Sequence, residues 1–290
     1  MANPLRKMKA KPFGNSGIDL PVIGQGTWDV PESGPRAAEA KRAIRRGIEL
    51  GMTHLDTAEM YGNGRVELWL GEAIAGVPRE SLFVATKVLP GNAHYHGTLD
   101  AAERSLMRLG LDYVDLFMLH WPGEHPIEET MRALERLVED GKTRFVGISN
   151  FDAAEMLEAA SFLRAVQLAC NQVLYHLRER GVEHDVIPAA RERGIAVVAY
   201  TPFGRGQFPR AQAAQGGVLE ALARKHDATP RQVILAFLTR ETNVFTIPKA
   251  SRVEHVEENA GAGALALDAA DVAAIEAEFP RGEKSPLASL

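Results

Sequence analysis

Short apolar runs of the kind that form β-strands return eight times along this chain, at intervals of roughly thirty residues, with helical patterns between them. The runs lie at 22–26, 53–56, 82–87, 113–120, 145–149, 165–172, 195–200 and 243–248. Several are apolar almost without interruption, as strands of a parallel sheet buried on both faces are. Between them Ala37, Ala40, Ile44 and Ile48 share one helical face, and Leu99, Ala102, Leu106 and Leu109 share another. Ile127, Met131, Leu134 and Val138 form a third stripe, with charged residues on the opposite side. Eight strand-helix units in succession favour an α/β fold closed as a (β/α)8 TIM barrel. The competing architecture, a doubly wound open sheet, calls for a GxGxxG after its first strand, and here there is only the lone Gly24-Gln25-Gly26.

No linker divides the chain, so residues 1–290 read as one domain with short flexible tails at about 1–10 and 281–290. With 46% hydrophobic and 24% charged residues the composition is that of an ordinary globular protein. A net charge of −5 argues against a nucleic-acid partner, which requires a basic face. No run approaches the length of a membrane helix, and the basic amino terminus has no apolar stretch of a secretory signal. The single cysteine, Cys170, has no thiol partner within the chain, so a reducing, cytoplasmic setting is expected. Two irregularities stand out. The glycine- and proline-rich segment 201–209 delays the eighth run and is expected to form a long functional loop. A last helical stretch at 268–279 lies beyond the eighth unit and is expected to pack outside the barrel.

Reactive residues of such a barrel stand at the carboxyl ends of its strands. Asp56, Lys87 and His120 each close an apolar run, and Tyr61 follows Asp56 in the loop. Together they make a proton-donating device. A phenol with a pKa near ~10 is a reluctant acid; an adjacent ammonium would lower that value, Asp56 would hold the ammonium, and His120 would orient a substrate oxygen. His94, His96 and His125 lack metal-ligand spacing and read as surface residues, and no metal is expected.

In these residues the chain resembles the aldo-keto reductase family. The stretch Gly51-Met52-Thr53-His54-Leu55-Asp56-Thr57-Ala58-Glu59-Met60-Tyr61-Gly62-Asn63-Gly64, with Glu67 and Leu70-Gly71 after it, is similar to the family's most specific motif. The likeness continues through Thr86-Lys87, Leu119-His120-Trp121-Pro122, Gly147-Ile148-Ser149-Asn150-Phe151, Asn171-Gln172, Ile247-Pro248-Lys249 and Glu257-Glu258-Asn259. It spans about residues 13 to 280 and implies a barrel with an N-terminal β-hairpin and an extra C-terminal helix. It further implies an NADPH-dependent oxidoreductase that reduces aldehydes or ketones to alcohols, with Asp56, Tyr61, Lys87 and His120 as its catalytic tetrad. The resemblance is strongest to bacterial members with Asn-Gln-Val-Leu-Tyr-His in the sixth strand and loop, here Asn171 to His176, and some reductases of that type act on methylglyoxal and other small aldehydes.

The same resemblance assigns the cofactor groove. Ser149, Asn150 and Gln172 would hold the nicotinamide carboxamide and Tyr200 would stack on its ring. Gly26 and Thr27, with Trp28 and Asp56 beside them, would line the ribose; Thr201, Pro202 and Gly204 would follow the pyrophosphate. Lys249, Ser251 and Arg252 stand at the start of a helix, which favours an anion such as the 2′-phosphate of NADPH. Glu258 and Asn259 would bond the adenine. His255 stands where NADPH-preferring relatives commonly carry arginine. Histidine is charged only on the acidic side of neutrality, so a modest NADPH preference is expected, strengthening as pH falls, with NADH a poorer cofactor. Trp28, Met60 and Trp121 would wall the carbonyl pocket with Tyr61 and His120, and the short tail would leave it open. A monomer or weak oligomer is expected. The alternative is a cofactor-binding regulatory subunit with little turnover.

Overall fold

The computed structural model describes residues 8–206 and 217–289. Its first element is an antiparallel hairpin, β1 (Ala10–Pro12) with β2 (Asp19–Pro21). Eight parallel strands follow, each paired to the next: β3 (Gln25–Gly26), β4 (His54–Asp56), β5 (Phe83–Val88), β6 (Val114–Leu119), β7 (Thr143–Ser149), β8 (Leu168–Leu174), β9 (Ala196–Tyr200) and β10 (Val244–Thr246). Parallel bridges Ile23 to Thr246 and Gly26 to Lys249 join the last strand to the first, and Gly24 N donates to Thr246 O at 2.7 Å. The sheet is thereby closed as the expected barrel. Gly26 is required at this seam, because a Cβ there would stand 2.7 Å from Ile247 O.

The helices form where their sequence starts and stops them. α1 (Gly34–Glu49) opens with a proline in its first turn and buries Ala37, Ala40, Ala43 and Ile44. α2 (Arg65–Ile74) follows the Tyr61 loop, and α3 (Tyr95–Leu109) begins with His94 accepting from Gly97 N and ends at left-handed Gly110. His94 is thus an exposed helix cap, in line with the surface reading of the loop histidines. After α4 (Ile127–Glu139) come α5 (Ala153–Ser161), α6 (Val186–Glu192), α7 (Gly217–Lys225), α8 (Pro230–Leu238) and α9 (Val253–Ala262). Capping boxes begin α5 at Asp152 and α8 at Thr229. The extra helix α10 (Ala269–Glu278) begins with a third, at Asp268, and packs on α7. Both ends of the described chain are tied down. Lys9 N donates to Gly263 O, and Lys284 pairs with Asp185 at 2.8 Å.

Strand parity places the site. In β5, Phe83 and Ala85 belong to the core inside the barrel, while Val84 and Val88 pack outward beneath the helices. Lys87 continues the inward series at the carboxyl end. The same alternation puts His54 and Asp56 of β4 inside, then Leu116, Met118 and His120, then Cys170 and Gln172, then Val198 and Tyr200. Phe13 of the hairpin plugs the opposite end, its ring 5.3 Å from those of both Phe83 and Phe245. One end of the barrel interior is therefore aromatic and sealed, and the other presents polar groups.

Candidate active site

Asp56 and Lys87 are buried at adjacent strand ends. Lys87 Nζ donates to Asp56 Oδ1 at 2.7 Å and to Thr57 O at 2.8 Å, while Gln172 Nε2 donates to Asp56 Oδ2 at 2.8 Å. Both carboxylate oxygens are thus used, which a buried ion pair needs if it is to offset its desolvation. Lys87 Nζ lies 5.3 Å from the centre of the Tyr61 ring. The Tyr61 ring is in turn 5.8 Å from that of His120 and 5.1 Å from that of Trp28, and Trp121 lies 4.7 Å from His120. Asp56, Tyr61, His120, Trp28, Met60 and Trp121 line one pocket, next to the buried amine of Lys87.

Two protonation states follow. Burial, with the charge of Lys87 adding to it, lowers the His120 imidazole to about 2, so the ring is neutral and can donate one hydrogen bond and accept another. Burial, with the charge of Asp56 adding to it, pushes the Tyr61 phenol well above its ordinary value. This differs from the lowering that the sequence leads one to expect. The reason is first the burial of the phenol and then the Asp56 charge, which opposes that of Lys87, 2.7 Å from it. The phenol is therefore held protonated.

Several of the residues expected to hold the cofactor come together at this same pocket. Asn150, left-handed at φ 63°, donates through Nδ2 to His120 O at 3.0 Å and Ser149 Oγ at 3.1 Å, and accepts from Tyr200 Oη at 2.7 Å. Tyr200 is thus anchored by its hydroxyl at the pocket wall, where it joins Gly26, Thr27, Ser149, Gln172, Thr201 and Lys249. Beyond them Pro202 and Gly204 lead into the following loop; its residues 207–209 lie outside the described residues. At the start of α9 Arg252 holds the N-cap position and donates to Nε2 of His255, whose Nδ1 is 3.7 Å from Glu258. His255 is therefore tied to Arg252 while remaining partly exposed. Ser251 Oγ and Asn259 Oδ1 are buried without a partner, a costly condition that a ligand with complementary polar atoms would relieve.

Sequence reasoning missed several contributors. Gln172 bonds Asp56 as well as facing the groove, a pairing that only the barrel's curvature brings about. Arg205 and Ile247 line the pocket too. Glu67, quoted in the motif without a role, is fully buried, accepting from Thr86 Oγ1 at 2.6 Å and Arg108 Nε at 2.6 Å. It ties the helix after Tyr61 to the residue before Lys87. Its position in an apolar helical face was the available signal.

A family model described as the aldo/keto reductase family matches residues 22–278. The chain belongs to the aldo/keto reductase family. Among proteins of this family, the methylglyoxal reductase YeaE of Escherichia coli is 40% identical over 91% of this chain and 92% of its own. Glyoxal reductase of Bacillus subtilis is 35% identical over 91% and 90%. An aldo-keto reductase of Klebsiella pneumoniae, crystallised in complex with NADPH, superposes with a TM-score of 0.90 at 35% identity, covering 98% of this chain and 99% of that one. Among the described residues no helix is long and apolar enough to cross a membrane, and no group of three or more potential ligands is placed to hold a metal ion.

Proposed function

We propose that this aldo/keto reductase reduces small aldehydes, methylglyoxal among them, to alcohols at the expense of NADPH, with Tyr61 as the proton donor. The observation that carries the reading is the Tyr61 phenol held protonated among a neutral His120 and a buried Lys87–Asp56 pair, at the head of a groove that ends in unpartnered Ser251 and Asn259. Ser251 Oγ, which can donate, and the cations Lys249 and Arg252 suit the 2′-phosphate of the dinucleotide, while Asn259 Oδ1, an acceptor, suits the amino group of its adenine. When bound, NADPH supplies the hydride that reduces the carbonyl carbon.

The rest is done by this chain. Neutral His120 donates a hydrogen bond to the carbonyl oxygen and fixes its direction. As negative charge grows on that oxygen during reduction, Tyr61 gives it a proton, so that the carbonyl, having gained hydride and proton, leaves as the alcohol. The phenolate left behind is stabilised by Lys87, whose ammonium Asp56 keeps in place. Trp28, Met60 and Trp121 exclude water from the reacting atoms. No described residue beyond Lys249 lines the pocket, so the carboxyl-terminal tail leaves it open to short substrates.

The test is the decay of NADPH and NADH absorbance with methylglyoxal, glyceraldehyde, nitrobenzaldehyde, simple ketones and sugars. Turnover with NADPH and short aldehydes is expected, lower with NADH. Tight cofactor binding without turnover on any carbonyl would instead make the chain a cofactor-binding regulatory subunit.

A further inference from the structure

Trp28 sits on a short strap, residues 27–34, that leads from β3 into α1, and the strap is fastened twice. At its start Thr27 donates through N and Oγ1 to Asp56 O, at 3.1 and 2.8 Å. A turn through left-handed Asp29 then returns Val30 N to Thr27 O at 3.4 Å, and buried Val30 joins the core cluster that holds Tyr61. Further on, Glu32 accepts from Arg65 Nε and, at 3.5 Å, from Nη2. The Glu32 carboxylate also lies against Gly62, the residue after Tyr61: a Cβ there would come within 2.0 Å of Glu32 Oε1. Both fastenings are thus made to one stretch, Asp56 to Arg65, and Tyr61 lies between them. Trp28 lies between the same fastenings on the strap. Its indole packs on Tyr61 at 5.1 Å although 48% of the residue remains exposed, so little besides this clasp holds it there.

We propose that Glu32 and Arg65 are positioning residues that set the affinity of the pocket for the carbonyl substrate by holding Trp28 against Tyr61. The inference rests on the reading of the Tyr61 pocket as the carbonyl site. Neither residue touches the reacting atoms; opening the clasp loosens one wall while the Lys87–Asp56 pair and the cofactor groove stay as they are. The effect therefore belongs in KM for the carbonyl and not in kcat or cofactor affinity.

The experiment measures kcat and KM for methylglyoxal, and NADPH affinity by fluorescence, in Glu32→Gln, Arg65→Gln and the charge-exchanged pair Glu32→Arg with Arg65→Glu. Each single change should raise KM about two- to five-fold, the size that a partly exposed ion pair allows. kcat and NADPH affinity should stay within about two-fold, and the exchanged pair should recover much of the loss. Because methylglyoxal is uncharged, added KCl should raise the KM of the unmodified enzyme toward that of Glu32→Gln and leave Glu32→Gln little changed. In a Trp28→Ala background Glu32→Gln should have no further effect. Additive losses in that background, or a KM unmoved by any of these changes, would overturn the proposal. A second readout does not depend on turnover. With Trp121→Phe, and Trp69 buried, acrylamide quenching of tryptophan emission reports chiefly Trp28, and Glu32→Gln should raise it. Raised quenching with no turnover on any carbonyl would overturn the functional reading and keep the clasp; unchanged quenching overturns the clasp.

Discussion

Lys87 has three N–H donors, and two of them are committed to Asp56 and Thr57. The third is what remains for the phenolate of Tyr61. This makes Asp56, Lys87 and Gln172 one unit, with consequences for substitution. Asp56→Asn must turn an N–H toward either Lys87 Nζ or Gln172 Nε2, both donors, so it misplaces the ammonium as well as removing its counter-charge. Lys87→Met leaves a carboxylate buried with only Gln172 as a partner, which costs about 3–5 kcal/mol of stability. Each change should cut turnover by on the order of 10² or more. The double variant Asp56→Asn with Lys87→Met should be no slower than the worse single one, and should regain stability lost by Lys87→Met. Urea unfolding together with single-turnover kinetics checks both halves; multiplicative rate losses would mean that the residues act separately. Tyr61→Phe removes the proton while nearly keeping the packing. Reduction should fall by on the order of 10² to 10⁴ with NADPH affinity little changed. Retention of more than about a tenth of turnover, where chemistry limits the rate, would take the donor role from Tyr61.

At the scale of elements, the head of α9 is where the two nicotinamide cofactors would be told apart. Arg252 reaches His255 and is 3.2 Å from Glu254, so its guanidinium is held near the helix start by neighbours that are themselves exposed or partly so. Arg252→Ala should lower the ratio of kcat/KM for NADPH over NADH about ten-fold or more, the worth of one charge-assisted hydrogen bond to phosphate. His255→Arg should raise it, since arginine forks onto phosphate at any pH. Steady-state kinetics with both cofactors decides; equal losses for NADPH and NADH in Arg252→Ala would show that the residue holds the helix and not the phosphate. This helix was legible in the sequence because its basic residues follow an apolar strand, and the barrel strands were legible because burial on both faces makes them continuous apolar runs. What could not be read is what strands share only after closure. The run 22–26 pairs as a ladder only at Gln25–Gly26, on the β4 side, while Ile23 bridges to Thr246 across the seam. The Gln172–Asp56 bond joins residues far apart in sequence, and Glu32 over Gly62 depends on how two loops lie. Periodicity carries no information about either.

For the molecule as a whole, the sealed end of the barrel governs its tolerance of acid. His54 lies on the inward side of β4, completely buried, its ring 5.1 Å from Phe83 and 6.2 Å from Phe13, and neither ring nitrogen has a hydrogen-bond partner. Burial lowers its pKa to about 4, outweighing the upward pull of Asp56; Lys87 acts weakly downward and Asp115 weakly upward. In the unfolded chain the same imidazole titrates near ~6.5. Above that value the ring is neutral in both states and costs nothing through protonation. As pH falls from about 6.5 toward 4 the unfolded chain takes up a proton that the folded barrel refuses, so stability declines, by on the order of 3 kcal/mol, and this contribution levels off below about 4. His120, lowered to about 2 mainly by burial, has the same sign and extends the decline to lower pH. His54→Leu keeps most of the volume, removes the titration and also removes two unpartnered polar atoms. Its stability at pH 7.5 should therefore match or exceed that of the unmodified chain, and its advantage should widen by a few kcal/mol between pH 6.5 and 4.5. Urea unfolding at a series of pH values provides the comparison. Two stability curves that run parallel across that window would mean that His54 takes up its proton inside the barrel as readily as in the unfolded chain, with an acceptor for the imidazolium N–H, and that the acid sensitivity arises elsewhere.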